Sequence, residues 1–484
     1  MPATQTYALD DGTGRLSKRA WAALLVLCGA LFLDALDVSM TGVALPSIRT
    51  DLDMSTSSLQ WVVSAYVLGY GGFLLLGGRA ADLLGRRRMF LISLGVFVAA
   101  SALGGLANDG TLLVITRFIK GVAAGFTAPA GLSIITTSFA EGPTRNKALS
   151  IYTATGATGF SLGLVFSGVL TEIGWRWVFL FPAPLALIVL LAAIRLVPDD
   201  RDVARPSSRF DLAGAVGVTA GMLVLVYTLV EAPDAGWTSA RSLAGFAAAA
   251  AIMAAFVAHE RRVDQPLVRL GIFRSGSLVR ANLGAMSLIG GWFGFQFIVT
   301  LYLQQVRGWS ALETGLAIFP GGMLVAFLAP RMAPLIARYG TTRLVAAGLT
   351  STVIGYALFL PIGLDSGYVT AMLPTFLLTG LGFGLAYGPL NIAATNGVAP
   401  EEQGLAGGLV NTSFQFGGAL VLAVTTAVNN ASAGSGGTPD ALLDGFHAAI
   451  VVSLVAAVLG VAAVALRRRE AAVPCPQLPC PEPA

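Results

Sequence analysis

An all-α integral membrane protein of about fourteen transmembrane helices is what this sequence predicts, built as two six-helix pseudo-symmetric bundles with two central accessory helices. Three observations carry that prediction. Apolar residues make up 55% of the 484 positions and charged residues only 12%, with a mean hydropathy of +0.75, whereas soluble domains are nearer a quarter charged. Apolar runs of about 20 residues, the length a bilayer core demands, follow one another from end to end. Basic residues alternate between the connecting segments in a way that places both termini on one side.

In order, the spans are expected at about 20–45, 59–77, 89–106, 111–139, 146–170, 177–197, 211–230, 242–258, 282–303, 314–332, 343–362, 368–394, 404–428 and 446–466. Lipid leaves only helices or closed barrels, and these runs are too long and too uniformly apolar for alternating barrel strands. With the N-terminus inside, 24 of the 30 Lys and Arg fall in inside segments and four (Arg49, Arg176, Arg241, Arg307) in outside loops. That bias predicts a multi-pass protein of the cell membrane with both termini cytoplasmic. Nothing before the first span resembles a cleaved signal peptide.

The expected division is an N-terminal bundle 1–197, a linker with accessory helices seven and eight 198–281, a C-terminal bundle 282–466, and a disordered cytoplasmic tail 467–484. A weak internal repeat supports it. The loop after the second helix, GGRAADLLGRRR (77–88), aligns without a gap on MAPLIARYGTTR (332–343) after the tenth, matching Gly85 to Gly340 and Arg88 to Arg343. Repeated halves that rock about a central site are a common carrier design; tight cytoplasmic loops rich in Gly and Arg would give some of the same match.

Ionisable residues inside a membrane are costly and functional by default. Four lie deep: Asp34 and Asp37 in the first helix, Arg117 and Lys120 in the fourth. Each pair is spaced i, i+3 and shares a helix face. At about 1.5 Å per residue, Asp37 and Arg117 come about 9–12 Å below the outer surface and Asp34 and Lys120 about 13–17 Å below it. Two stacked ion pairs, Asp37 with Arg117 and Asp34 with Lys120, are expected if the helices are neighbours. A carboxylate held between desolvation and a nearby cation can take up a proton and release it when its partner moves; a permanent pair that only locks two helices is the alternative. With Lys120 countered by Asp34, protonating Asp37 leaves a positive cavity, suited to a neutral, zwitterionic or carboxylate-bearing molecule. Alternatively, apolar residues such as Phe126, Phe160, Phe293 and Phe295 set specificity.

These residues sit in segments that resemble the major facilitator superfamily, specifically its fourteen-helix drug:proton antiporters. LDVSMTGVALPSI (36–48) is similar to that family's first-helix signature around an acidic residue, here Asp37. GRAADLLGRRR (78–88) is similar to the superfamily's loop between helices two and three, with Gly78, Asp82, Gly85, Arg86 and Arg87 on the pattern and Leu83 where a basic residue is usual. RFIKG (117–121) is similar to Arg-x-x-Gln-Gly, with Lys120 in place of glutamine. WRWVF (175–179), YLQQVRGWSALETGLAIFP (302–320) and QGLAGGLVNTSFQFGGAL (403–420) also match. One departure stands in helix five. GATGFSLGLVFSG (156–168) keeps Gly156, Gly159, Gly163 and Gly168, but Leu164 occupies the place of the proline that normally follows a glycine there, removing an expected kink.

The resemblance implies proton-coupled export of a small organic molecule, such as an antibiotic, by alternating access; a proton-coupled metabolite importer on the same fold is the second reading. Proton coupling falls to Asp37, Asp34, Arg117 and Lys120. A cytoplasmic gate falls to the 78–88 loop, where Asp82 can pair with Arg86 or Arg87 or cap the third helix. The helix-five glycines allow close packing or gating. The expected partners are a small-molecule substrate, protons and the bilayer, in a monomer.

Other functions are not signalled. The arginines form no basic stripe for nucleic acid. No phosphate-binding glycine loop is present, and no catalytic constellation marks an enzyme. No metal or cofactor is expected: Cys28 lies in an apolar run, and Cys475 and Cys480 in the Pro-rich tail have no nearby His or Cys to complete a site. His259 and His447 are expected at interfaces, and the seven Trp mostly at helix ends, as an aromatic belt.

Overall fold

The computed structural model describes residues 17–139, 143–198, 211–263, 266, 268–396, 398, 403–433 and 439–465. Cys475 and Cys480 lie outside them. Among the described residues the chain is helical throughout, without a strand. In membrane order the helices are α1 (Lys18–Asp51), α2 (Thr56–Leu84), α3 (Arg86–Gly105), α4 (Gly110–Ser138), α5 (Pro143–Ile173), α6 (Arg176–Leu196, broken once at Phe181) and α7 (Leu212–Ala235). They continue with α8 (Ala240–Glu260), α9 (Gly276–Val306), α10 (Ala311–Tyr339), α11 (Thr341–Phe359), α12 (Tyr368–Thr395), α13 (Gln403–Ala433) and α14 (Pro439–Ala465). Thirteen are long and apolar enough to span a bilayer, and α7 adds an apolar stretch over Ala213–Leu229.

Local chemistry starts these helices where a short side chain can satisfy the first orphan N–H groups. Ser17, Ser55, Asp109, Asp211, Ser239, Ser275 and Ser310 each accept a backbone N–H in the first turn of the helix they precede. At Ser310 the cap is reciprocal, because Glu313 accepts the Ser310 N–H at 2.8 Å. Gly85 and Gly340 do different work. Each ends one helix and begins the next at φ 103° and 79°, with ψ 128° and 158°. Side-chain-bearing residues avoid that backbone region. The two glycines matched by the internal repeat therefore make the same tight α2–α3 and α10–α11 corner.

The repeat extends to packing. α1 lies on α5 and α6 as α9 lies on α13 and α14; α4 packs on both α2 and α3 as α12 packs on both α10 and α11. Both α4 and α12 carry an internal proline, Pro129 and Pro389. Contact between the two sets is reciprocal as well: α2 meets α13, and α5 meets α10. Helices α7 and α8 pack on each other, with α7 also touching α2 and α13. A side-chain strap closes the end of this hairpin, where Glu260 accepts the Val268 N–H at 2.9 Å and His259 meets Asp211 at 2.8 Å.

Candidate transport site

Backbone contact between α2 and α4 sets the site. A Cβ on Gly121 would stand 2.0 Å from the Tyr66 carbonyl oxygen, and one on Gly77 would stand 2.2 Å from that of Gly125. Only hydrogen fits there, so the RFIKG segment of α4 presses on α2 at the level of Tyr66. Arg117 Nε then reaches across to donate to the Val62 carbonyl at 2.9 Å.

Within that contact Asp37 holds both cations. Arg117 donates to Asp37 Oδ2 and Lys120 to Asp37 Oδ1, and the three side chains are sealed from solvent, at 0–2% exposure. Aromatic rings close the shell. The Arg117 guanidinium lies 4.5 Å from the Tyr66 ring centre, and the Lys120 ammonium 4.6 Å from Phe97 and 5.6 Å from Phe179. The Asp37–Arg117 pair is thus formed. The expected Asp34–Lys120 pair is not, because one turn along α1 Lys120 is spent on Asp37. Asp34 accepts a hydrogen bond from the Tyr66 hydroxyl instead and stays half-buried. Tyr66 is the residue that sequence reasoning missed, since nothing marks it out among the other tyrosines until α2 and α4 are docked. The argument for a positive cavity, which needed Lys120 paired to Asp34, falls with that pairing: both cations are spent on Asp37 and walled off by aromatic rings.

The helix-five glycines seat α5 on this part of α1. Cβ atoms at Gly156, Gly159 and Gly163 would stand 3.2 Å from a Leu31 methyl, 2.5 Å from the Phe32 carbonyl oxygen and 2.7 Å from that of Leu36. Gly168 faces α10 instead, 2.5 Å from Leu312 Cα on the same measure. α5 runs without a break from Pro143 to Ile173, as Leu164 in the proline position allows. The Leu164 carbonyl abuts Gly315 of α10, at 2.4 Å from where a Cβ would stand.

The gate loop is partly described. Gly85 makes the corner, and Arg87 donates to the Ile194 carbonyl of α6 at 2.5 Å. Gly78 lies 3.7 Å, by its absent Cβ, from Pro129, and Arg86 opens α3. The side chain of Asp82 lies outside the described residues, so its pairing does too. WRWVF closes the far end: Trp175 Nε1 and Arg176 both donate to Asp51 Oδ2, at 2.9 and 2.8 Å.

Between the two sets of helices lies a cavity lined by Val38, Ser39, Gly42 and Val63 on one side and Trp292, Phe293 and Gln296 on the other, with Phe160 of α5 at its edge. About 20 Å³ is free there, enough for a water and far less than a drug needs. Gln296 Nε2 is buried beside it without a hydrogen-bond partner. Phe160 and Phe293 belong to this lining as expected. Phe295 packs into the core against Tyr356 and Phe359, at 4.8 and 5.2 Å between ring centres, and Phe126 lies against Phe73. Trp292 is not a belt residue: it sits mid-helix, 4.7 Å from Phe160 and 5.7 Å from Phe383 between ring centres. Among the described residues no group of His, Cys, Asp and Glu could hold a metal.

A buried charge cluster on one helical set, and a cavity where that set meets its repeat, are the parts of a carrier. The family model described as Major Facilitator Superfamily matches residues 27–422. The chain belongs to that superfamily. Its relatives include the cephamycin export protein CmcT of Amycolatopsis lactamdurans, 38% identical over 94% of this chain and 95% of the relative. The puromycin resistance protein pur8 of Streptomyces alboniger is 38% identical over 88% and 86%, and the lincomycin resistance protein of Streptomyces lincolnensis is 34% identical over 97% and 96%. Among solved structures, a peptide transporter POT in complex with sulfate matches with a TM-score of 0.66 at 15% identity, covering 91% of this chain and 94% of that one. The human organic anion transporter MFSD10 matches at 0.63 and 16%, covering 93% and 100%. These superfamily members are transporters and not enzymes, and antibiotic export and resistance recur among the relatives.

Proposed function

We propose that the protein exports a small antibiotic-like molecule in exchange for protons. Alternating access would occur between 1–197 and 282–466, with α7 and α8 in the 198–281 segment accessory and 467–484 a tail. The observation that carries this is the chemistry of α1: two carboxylates three residues apart, one sealed by Arg117 and Lys120 and one, Asp34, only partly buried and held by the neutral Tyr66 hydroxyl. Relatives of nearly full length that carry export or resistance names support the outward direction. Asp34 is the group a proton reaches first. Asp37 joins only when α4 shifts along α1, so protonation and helix movement are tied together. The small cavity belongs to a closed state, and the Gln304 Nε2 to Val43 carbonyl bond at 2.9 Å is one of the contacts that opening must break. The 77–88 loop, with Asp82, Arg86 and Arg87, is proposed as the cytoplasmic gate.

The protein is proposed to act as a monomer in the cell membrane with both termini cytoplasmic. Uptake of a labelled antibiotic into inverted vesicles that needs an inside-acid gradient is the expected result; uptake that needs an inside-alkaline gradient would mean import. Cysteines placed at Ser207 and Ser275 should be labelled from the cytoplasm and one at Ser435 from outside. Labelling of Ser207 and Ser435 from one side would remove the fourteen-helix orientation.

A further inference from the structure

Two carboxyl oxygens are buried without a donor at the end of the accessory hairpin that leads into α9. They are Oδ2 of Asp211, which caps α7, and Oε1 of Glu260, the last residue of α8. Glu260 is 4% exposed and the Asp211 side chain 6%. Both oxygens converge on one point: a Cβ on Gly214 would stand 2.4 Å from the first and 2.3 Å from the second. The glycine leaves a gap, and the two carboxyl groups lie within hydrogen-bonding reach of each other across it. Their other oxygens are engaged. Asp211 Oδ1 accepts the Gly214 N–H and meets His259 Nε2, each at 2.8 Å, and Glu260 Oε2 accepts the Val268 N–H at 2.9 Å. Val268 leads into the turn Leu270–Arg274, which seats Ile272 in the core of the second helical set with Leu278 and Ala394.

We infer that Asp211 and Glu260 form a proton-binding site separate from the carboxylates of α1, in which a proton on Glu260 Oε1 is donated to Asp211 Oδ2 and fastens the hairpin to the second helical set through the Val268 bond. Two ionised carboxylates sealed face to face repel each other. One shared proton turns that repulsion into a charge-assisted hydrogen bond. Asp211 is the partner that keeps the charge, because the Gly214 amide and the His259 ring both hydrogen-bond to it. A protonated Glu260 still accepts the Val268 N–H at its carbonyl oxygen. The groups that face Glu260 are Asp211 from α7, His259 from its own helix and the Val268 amide. Arg261, Arg262 and Arg269 are exposed, and Asp264 lies outside the described residues. A proton bound only in the closed strap favours closure, so closure weakens as pH rises above neutral and the proton leaves. The site lies apart from the central charge cluster, and the export reading stands or falls without it.

Infrared spectroscopy and hydrogen exchange on the full-length protein in lipid nanodiscs test it. Glu260→Gln is the informative variant, because its amide donates to Asp211 and its carbonyl accepts the Val268 N–H with no proton to lose. The wild-type spectrum minus that of Glu260→Gln should show the C=O stretch of a protonated carboxyl at about pH 7 and lose it by about pH 9 to 10. Carbon-13 labelling of glutamate should shift the same band in the wild-type protein, which assigns it to Glu without any variant. Over the same pH range the Val268 amide should lose about tenfold or more of its exchange protection relative to Glu260→Gln at each pH, the scale of one lost hydrogen bond. Absence of the band at neutral pH, or protection that stays parallel in the two proteins across the range, would overturn the site. So would protection that follows added magnesium at fixed pH, which would put a metal cation in the gap.

Discussion

The two six-helix sets repeat one fold with different interiors. In α1–α6 the buried polar residues include Asp37, Arg117 and Lys120; in α9–α14 the buried residues are Ser, Thr, Asn and apolar side chains, with no buried charge among those described. Where the first set buries ion pairs, the second places rings: Trp292, Phe383, Tyr387 and Phe414. A buried ion cluster is expensive and brittle, and it has discrete alternative arrangements. An aromatic surface is tolerant of shape and holds ligands by area. The difference fits the proposed exchange mechanism, in which the charged half would carry coupling and the ring-lined half would offer the apolar surface for a ligand, on a shared helical frame.

The sharpest way to break that comparison is to remove the hub of the charged half. Asp37→Asn leaves two buried cations facing a neutral amide. Losing one partner of a buried ionic group costs about 3–5 kcal/mol, so the variant should melt well below wild type in detergent and should lose proton-driven transport. Replacing Lys120 by Gln in the same chain removes one orphaned cation and should recover part of the melting temperature without restoring transport. Full proton-driven transport in Asp37→Asn would move the coupling site off this cluster, to Asp34 first.

The frame itself should respond alike in both halves. Gly121→Ala pushes a methyl at the Tyr66 carbonyl, and Gly380→Ala pushes one at the Gly321 carbonyl, 2.3 Å from the built Cβ. Overpacking of this kind costs about 1–3 kcal/mol, and the two melting shifts should fall in that same range. A large shift in only one half would show that the helical repeat is not mechanically equivalent. Recognition should respond differently. Trp292→Leu removes ring contacts worth about 0.5–1.5 kcal/mol, so KM for an aromatic substrate should rise several-fold with kcat little changed. An unchanged KM would take Trp292 out of the binding surface.

Much of this was legible before any coordinates. Apolar length and Arg placement give the spans, and Gly85 aligned with Gly340 anticipated two corners of the same backbone geometry. The Asp37–Arg117 pair followed from depth and helix face. What could not be read is which cation each carboxylate would hold, because a one-turn choice between Asp34 and Asp37 depends on how α4 is rotated against α1. That rotation is fixed by Gly69, Gly77, Gly121 and Gly125, whose backbones touch across α2 and α4. Trp292 was unreadable for a similar reason: a tryptophan in an apolar run fits a lipid belt or a cavity until the neighbouring helix is placed.

The smallest expected effect lies away from both interiors, at the accessory hairpin. Burial pushes the Asp211 carboxyl up, but the Gly214 amide and the His259 ring that hydrogen-bond to it more than offset this, so it lies below the usual carboxylate range. A depressed folded-state pKa stabilises above the unfolded value of about 3.9 and is lost as pH falls through the folded one. Asp211→Asn keeps a helix cap of similar quality while removing the charge. The pair it loses is partly exposed, with His259 at 36% and Asp211 at 6%, so a melting difference equivalent to about 0.5–1 kcal/mol is expected. That difference should be full at pH 7 and should close below about pH 4. Transport should be unchanged across the same range relative to wild type, because α8 packs on α7 and on neither face of the central cavity. A transport defect in Asp211→Asn at pH 7 would draw the accessory helices into the mechanism and erase the division between frame and working halves on which the comparison stands.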